Sequence, residues 1–151
     1  MDSIKVQNFS RENPGIEFPP FTSLTPNDCA RLRTAIAQRL GLNPESAPLL
    51  LLQTLQARAL HFTGTNAEDR FDLRNLISEL GFRPSAEVLV NWQRFDEIDR
   101  IALSDLSRHF DDIWYPGSDD IEIFDESLDW LVLVRHDGVV TAMNLPQVNG
   151  C

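Results

Sequence analysis

Asp129-Trp130-Leu131-Val132-Leu133-Val134-Arg135-His136-Asp137-Gly138-Val139-Val140-Thr141-Ala142-Met143 decides the fold class. Asp137-Gly138 is a two-residue hairpin signal, because both residue types tolerate the backbone that a tight turn demands. The run before it, Trp130 to Arg135, is apolar on both faces. Trp130, Val132 and Val134 form one face, and Leu131 and Leu133 the other. A strand with two apolar faces must be covered on both, so it is predicted to be central. Val139 to Met143 returns beside it. Asp120 to Phe124 reads as the preceding strand, and Asp125 to Asp129 as the loop between. These three strands make an antiparallel meander.

Upstream of the meander, Leu103, Leu106, Phe110 and Ile113 or Trp114 form the stripe of a short helix over about Ser104 to Asp112, which Pro116 ends. Val88, Val90 and Trp92 alternate with Leu89 and Asn91, as in a strand. Residues 95–102 fit neither period. Before Pro84 the period is helical. Thr25 can cap a first helix, with Pro26 at its first position and Asp28 three residues after the cap. Cys29, Leu32, Ile36 and Leu40 follow at helical spacing, and Gly41 offers a stop. A second helix is predicted over about Pro48 to Leu60. Its leucines crowd nearly every face, which predicts a central buried helix. Thr63 to Asn66 reads as a turn, and about Asp69 to Leu80 as a third helix. Met1 to Leu24 reads as an irregular or extended lead-in. Ile4 and Val6 start a short strand there, and Phe18 and Phe21 pin the segment to the body.

The expected architecture is therefore α+β, with N-terminal helices packed on a C-terminal antiparallel sheet. One domain covers 1–151: a lead-in over 1–24, a mainly helical part over 25–82, and a strand, short helix and meander over 86–145. A chain of 151 residues is long enough for a real core.

The net charge of −10 has a single origin. Asp96 to Asp137 holds thirteen acids against three bases, Arg100, Arg108 and Arg135, while the residues before it balance. An acidic chain lacks the positive face that nucleic acid or an anionic membrane needs, and it permits basic partners and cations. Cys29 and Cys151, without metal-ligand spacing, read as reduced thiols of a cytoplasmic protein. The N-terminus has no secretory signal pattern. The longest apolar run, Ala47 to Leu52, falls far short of the roughly 20 residues of a membrane helix.

Catalytic signatures are sparse. No nucleophile elbow, phosphate loop or dinucleotide fingerprint occurs. His61, His109 and His136 show no zinc spacing. A general base could pair His109 with Asp119. The Asp119-Asp120 turn could offer oxygen ligands to Ca²⁺ or Mg²⁺, but its spacing departs from the calcium-loop pattern. Carboxylates in such a turn also serve to satisfy local backbone donors. No cofactor and no resident metal are expected.

The acids do run together with aromatics in Phe110-Asp111-Asp112-Ile113-Trp114-Tyr115-Pro116-Gly117-Ser118-Asp119-Asp120. Large rings beside charge suit an interface anchor, and opposite charge speeds encounter with a basic partner. Asp111, Asp112, Trp114, Tyr115, Asp119 and Asp120 are thus the candidate partner-binding residues. Trp114 and Tyr115 can instead close the short helix onto the sheet.

The segment from Ile113 to Phe124, continued by Asp129-Trp130-Leu131 and His136-Asp137-Gly138, resembles the tail of small uncharacterised bacterial proteins. Some of those resemble immunity proteins, which bind and neutralise a cognate toxin. The resemblance covers about the last third of the chain and carries no catalytic residues. It implies a non-enzymatic inhibitor that occludes a basic partner. A metal-dependent protein built on Asp119-Asp120, and a structural or regulatory module, remain open as alternatives.

Overall fold

Two separate apolar clusters, one on each face of a single sheet, organise the molecule. The computed structural model describes residues 1–92 and 94–147, apart from the side chains of residues 62–64. Helices are α1 (Ser3–Glu12), α2 (Pro26–Arg39), α3 (Pro48–Arg58), α4 (Leu73–Glu79), α5 (Leu103–Arg108) and α6 (Phe110–Ile113). Strands are β1 (Phe21–Ser23), β2 (Leu60–Asn66), β3 (Glu87–Asn91), β4 (Ile98–Ala102), β5 (Ile121–Phe124), β6 (Trp130–Val134) and β7 (Val139–Asn144). They form a 7-stranded sheet in the order β1-β4-β3-β5-β6-β7-β2, with every neighbouring pair antiparallel.

The fold is α+β, and the meander forms as its alternation dictates. β6 is buried at every position. Trp130, Val132 and Val134 join the cluster under α4, α5 and α6. Leu131 and Leu133 join the cluster under α2 and α3. Period-2 alternation thus splits one strand between two cores.

Four sequence expectations are corrected. The lead-in is not irregular throughout. The proposed strand at Ile4 and Val6 is helix α1, capped by Asp2, whose side chain accepts from Ile4 N at 2.9 Å. Its buried positions are Lys5 and Phe9, one turn apart, and a buried lysine carries no hydrophobic signal. Phe18 and Phe21 do pin the segment, in an edge-to-face chain running Phe9, Phe18, Phe21. Second, α3 is not a central buried helix. Leu51 and Leu55 are buried, but Leu49 is 60% and Leu50 45% exposed. Third, Thr63 to Asn66 lies in strand β2 rather than in a turn, and residues 95–102 contain strand β4. Fourth, the sheet is not confined to the C-terminal part. Its two edge strands, β1 and β2, come from the N-terminal half.

The Asp137-Gly138 turn is backed against β2. Gly138 has φ +80°, and an added Cβ would lie 2.1 Å from Asn66 Oδ1. That oxygen already accepts from Glu68 N at 2.8 Å, so it cannot yield freely. Gly138→Ala is expected to destabilise the fold by about 1–3 kcal/mol. Chemical denaturation would show this as a lower midpoint with an unchanged slope.

Candidate functional site

Three connections meet at one end of the sheet. β3 runs antiparallel to β5, with Asn91 opposite Glu122, so the β3–β4 loop lies beside the start of β5. The α6–β5 turn is tied to the β6–β7 turn by Gly117 N donating to His136 O at 2.7 Å. Asp120 Oδ1 accepts from His136 N at 2.7 Å and lies 2.9 Å from His136 Nδ1.

Between this end and α3 lies a cleft of about 240 Å³. Leu52 and Gln56 of α3 form one wall. Trp92 and Arg94 of the β3–β4 loop form another, and Ser118, Asp120 and Glu122 complete it. Glu122 is buried, and its Oε2 accepts from Asn91 Nδ2 at 2.6 Å. Asn91 is oriented from its other end, where Oδ1 accepts from Phe95 N at 3.0 Å. Phe95 needs that support. It sits at φ 60° in the left-handed region, fully buried, with its ring against Phe124. Burial pushes the Glu122 carboxyl up to about 8, with Asp120 adding to the rise and the Asn91 hydrogen bond opposing it. Burial thus favours the neutral form of Glu122. The sequence hid this, because a strand acid between Ile121 and Ile123 reads as an outward-facing position.

The six residues singled out from the sequence divide. Trp114 is in the core, 2% exposed, stacked on Phe110, with Nε1 donating to Asp119 O at 3.0 Å. It cannot touch a partner, and it closes α6 onto the sheet. Tyr115 and Asp119 are turned inward to serve Lys5. The Lys5 ammonium lies 2.5 Å from Asp119 Oδ2 and 3.7 Å from the Tyr115 ring centroid. Asp119 also accepts from Tyr115 N at 2.8 Å. Asp111 and Asp120 are exposed and Asp112 is half-buried.

Neither chemical pairing weighed from the sequence forms. His109 meets Asp112, at 3.5 Å, rather than Asp119. Asp119 and Asp120 turn to different partners, Lys5 and His136, so they do not face one point. Ser118 Oγ lies near Tyr115 O and Asp119 Oδ1 and takes no part in the Asp120–His136 pair. Among the described residues no three His, Cys, Asp or Glu side chains gather as metal ligands would. Cys29 is a core thiol raised by burial, and Cys151 lies outside the described residues. Among those residues no helix is long and apolar enough to cross a membrane.

The acidic stretch also separates by end. At the far end, Glu126 pairs with Arg100 at 2.6 Å and Arg31 at 3.7 Å, and Asp129 with Arg39 at 3.5 Å. Those bases come from α2 and β4. Asp96 of the β3–β4 loop and Asp111 of α6 are exposed and make no ion pair among the described residues. Asp137 pairs with Arg135, two residues away. Comparison of the chain with protein-family models, curated proteins and solved structures finds no match.

Proposed function

We propose that this chain is a non-catalytic, immunity-like binding protein that occludes a basic protein partner with the cleft end of its sheet. The observation that supports this reading is the division of charge. Glu126 and Asp129 in the β5–β6 loop are matched by arginines of the same chain. Asp96, Asp111 and Asp120, on or next to the β3–β4 and α6–β5 connections, face solvent without a lysine or arginine partner among the described residues. Surface charge of this kind governs encounter rate and its salt dependence more than final affinity. The docking residues are accordingly Asp111, Asp112 and Asp120. Trp114, Tyr115 and Asp119 support that surface from within.

The test is capture from source cells with the immobilised protein, compared with a D111N/D112N/D120N variant. A basic protein should be retained by the parent chain and associate several-fold more slowly with the variant at low salt, the gap closing as salt rises. Equal retention by both proteins, or no basic partner, contradicts the reading.

A further inference from the structure

We propose that the groove between α4 and α5 binds a small amphipathic carboxylate, its head held by Arg74, Arg108 and Ser107 and its tail lying along Leu103 and Phe82. Adjoining cavities of about 340, 320 and 230 Å³ make up this groove, and Arg74 lines all of them. Ser104 joins the first to the second, and Leu103 and Pro84 join the second to the third. The groove belongs to the sheet face covered by α4, α5 and α6, whereas the cleft beside Glu122 lies against α3 on the other face.

The polar end carries the observation that points to a ligand. Ser107 lines it, and Ser107 Oγ is buried with no hydrogen-bond partner among the described residues. No other side-chain nitrogen or oxygen among those residues is left in that state. A helical serine can return its hydroxyl to the carbonyl four residues earlier, and buried hydroxyls are normally satisfied. Arg74 and Arg108 line the same end, and neither forms an ion pair among the described residues. A guanidinium presents paired N–H groups that match the two oxygens of a carboxylate, and the orphan hydroxyl adds a further donor. Asp72 is the acid at this end, and its Oδ1 accepts from Asn75 N at 2.9 Å as the cap of α4. Two guanidiniums against one carboxylate leave a single positive charge. That suits a monoanion better than a phosphate, which carries close to two negative charges.

The other end is apolar. Ile77, Phe82, Pro84 and Leu103 line it. Ile77 is 2% and Leu103 8% exposed, and Phe82 stacks on Trp130 at 5.6 Å. Side chains anchored in the core in this way give a preformed floor, as ligand sites mostly have. Leu103 precedes Ser107 by one helical turn, about 6 Å along the axis, which is the reach of a short alkyl chain.

The probe is sodium hexanoate, added to the whole chain and followed by NMR. Its controls are sodium chloride at equal ionic strength, sodium acetate (the head without the tail) and hexylammonium chloride (the tail with opposite charge). Hexanoate should shift residues 71–78, 82–86 and 103–108 and saturate in the millimolar range, as a ligand of this size allows. Acetate should bind about tenfold more weakly, and hexylammonium should leave these residues unmoved. R74Q/R108Q should weaken hexanoate about tenfold and S107A about threefold. Shifts matching those of sodium chloride, an equal response to hexylammonium or acetate, or hexanoate affinity unchanged in either variant would overturn the site. If a variant does not fold, the acetate and hexylammonium titrations of the parent chain decide.

Discussion

Glu122→Gln stabilises the protein above pH 5, by on the order of 2–4 kcal/mol at pH 8 and above. The carboxyl titrates near its ordinary 4.5 in the unfolded chain and at about 8 in the folded one. Between these values the unfolded state has lost the proton and the folded state keeps it. Unfolding then releases a proton, so the stability contributed by the neutral carboxyl is complete below about pH 4.5. It falls as pH rises through about 8 and is flat beyond. The substituted amide stays neutral throughout and can still accept from Asn91 Nδ2. Denaturant melts at pH 4, 6 and 8 would check this. The parent protein should lose stability relative to the variant across that range, and parallel pH profiles would refute the buried neutral carboxyl.

Lys5→Met has a comparable effect of the opposite sign, an expected loss of about 2–4 kcal/mol. The Lys5 side chain is 5% and that of Asp119 16% exposed, so neither charge can be left to water. The ammonium is also enclosed by rings, with the Tyr115 centroid at 3.7 Å and that of Trp92 at 5.1 Å. Cation–π contacts strengthen when desolvated. Removing the cation alone leaves a half-buried carboxylate that keeps the Tyr115 N–H and Ser118 hydroxyl as donors but loses its counter-charge. The double change K5M/D119N should recover most of the loss, because replacing a buried pair is far cheaper than breaking it. Thermal melts of the single and double variants measure the coupling. Additive losses would mean that Lys5 and Asp119 do not depend on each other.

This ion pair also shows where the sequence stops being legible. The meander could be read because each of its strands carries its own signal: period-2 apolar faces, and Asp137-Gly138 at the turn. Helix α2 could be read because Thr25, Pro26 and the Cys29-Leu32-Ile36 stripe agree. α1 could not, since one of its two buried residues is a lysine whose ion-pair partner, Asp119, lies 114 positions away. β4 hid behind acids of which one, Asp99, is buried and accepts from Ser23 Oγ and Trp92 Nε1 at 2.6 and 2.7 Å. Buried polar residues satisfied by distant partners leave no periodic trace. The candidate site suffered likewise. The stretch around Trp114 is the right neighbourhood, yet Trp114, Tyr115 and Asp119 face inward. Glu122, Trp92 and Arg94 complete the cleft from strand and loop positions that only the pairing of β3 with β5 brings together.

The most direct test of docking at this end of the sheet is amide hydrogen exchange with the captured basic partner bound. New protection is expected in residues 94–97, 116–120 and 135–138, which build the three connections around the cleft. Protection confined to residues 125–129, at the opposite end where Arg31, Arg39 and Arg100 already answer the acids, would contradict it.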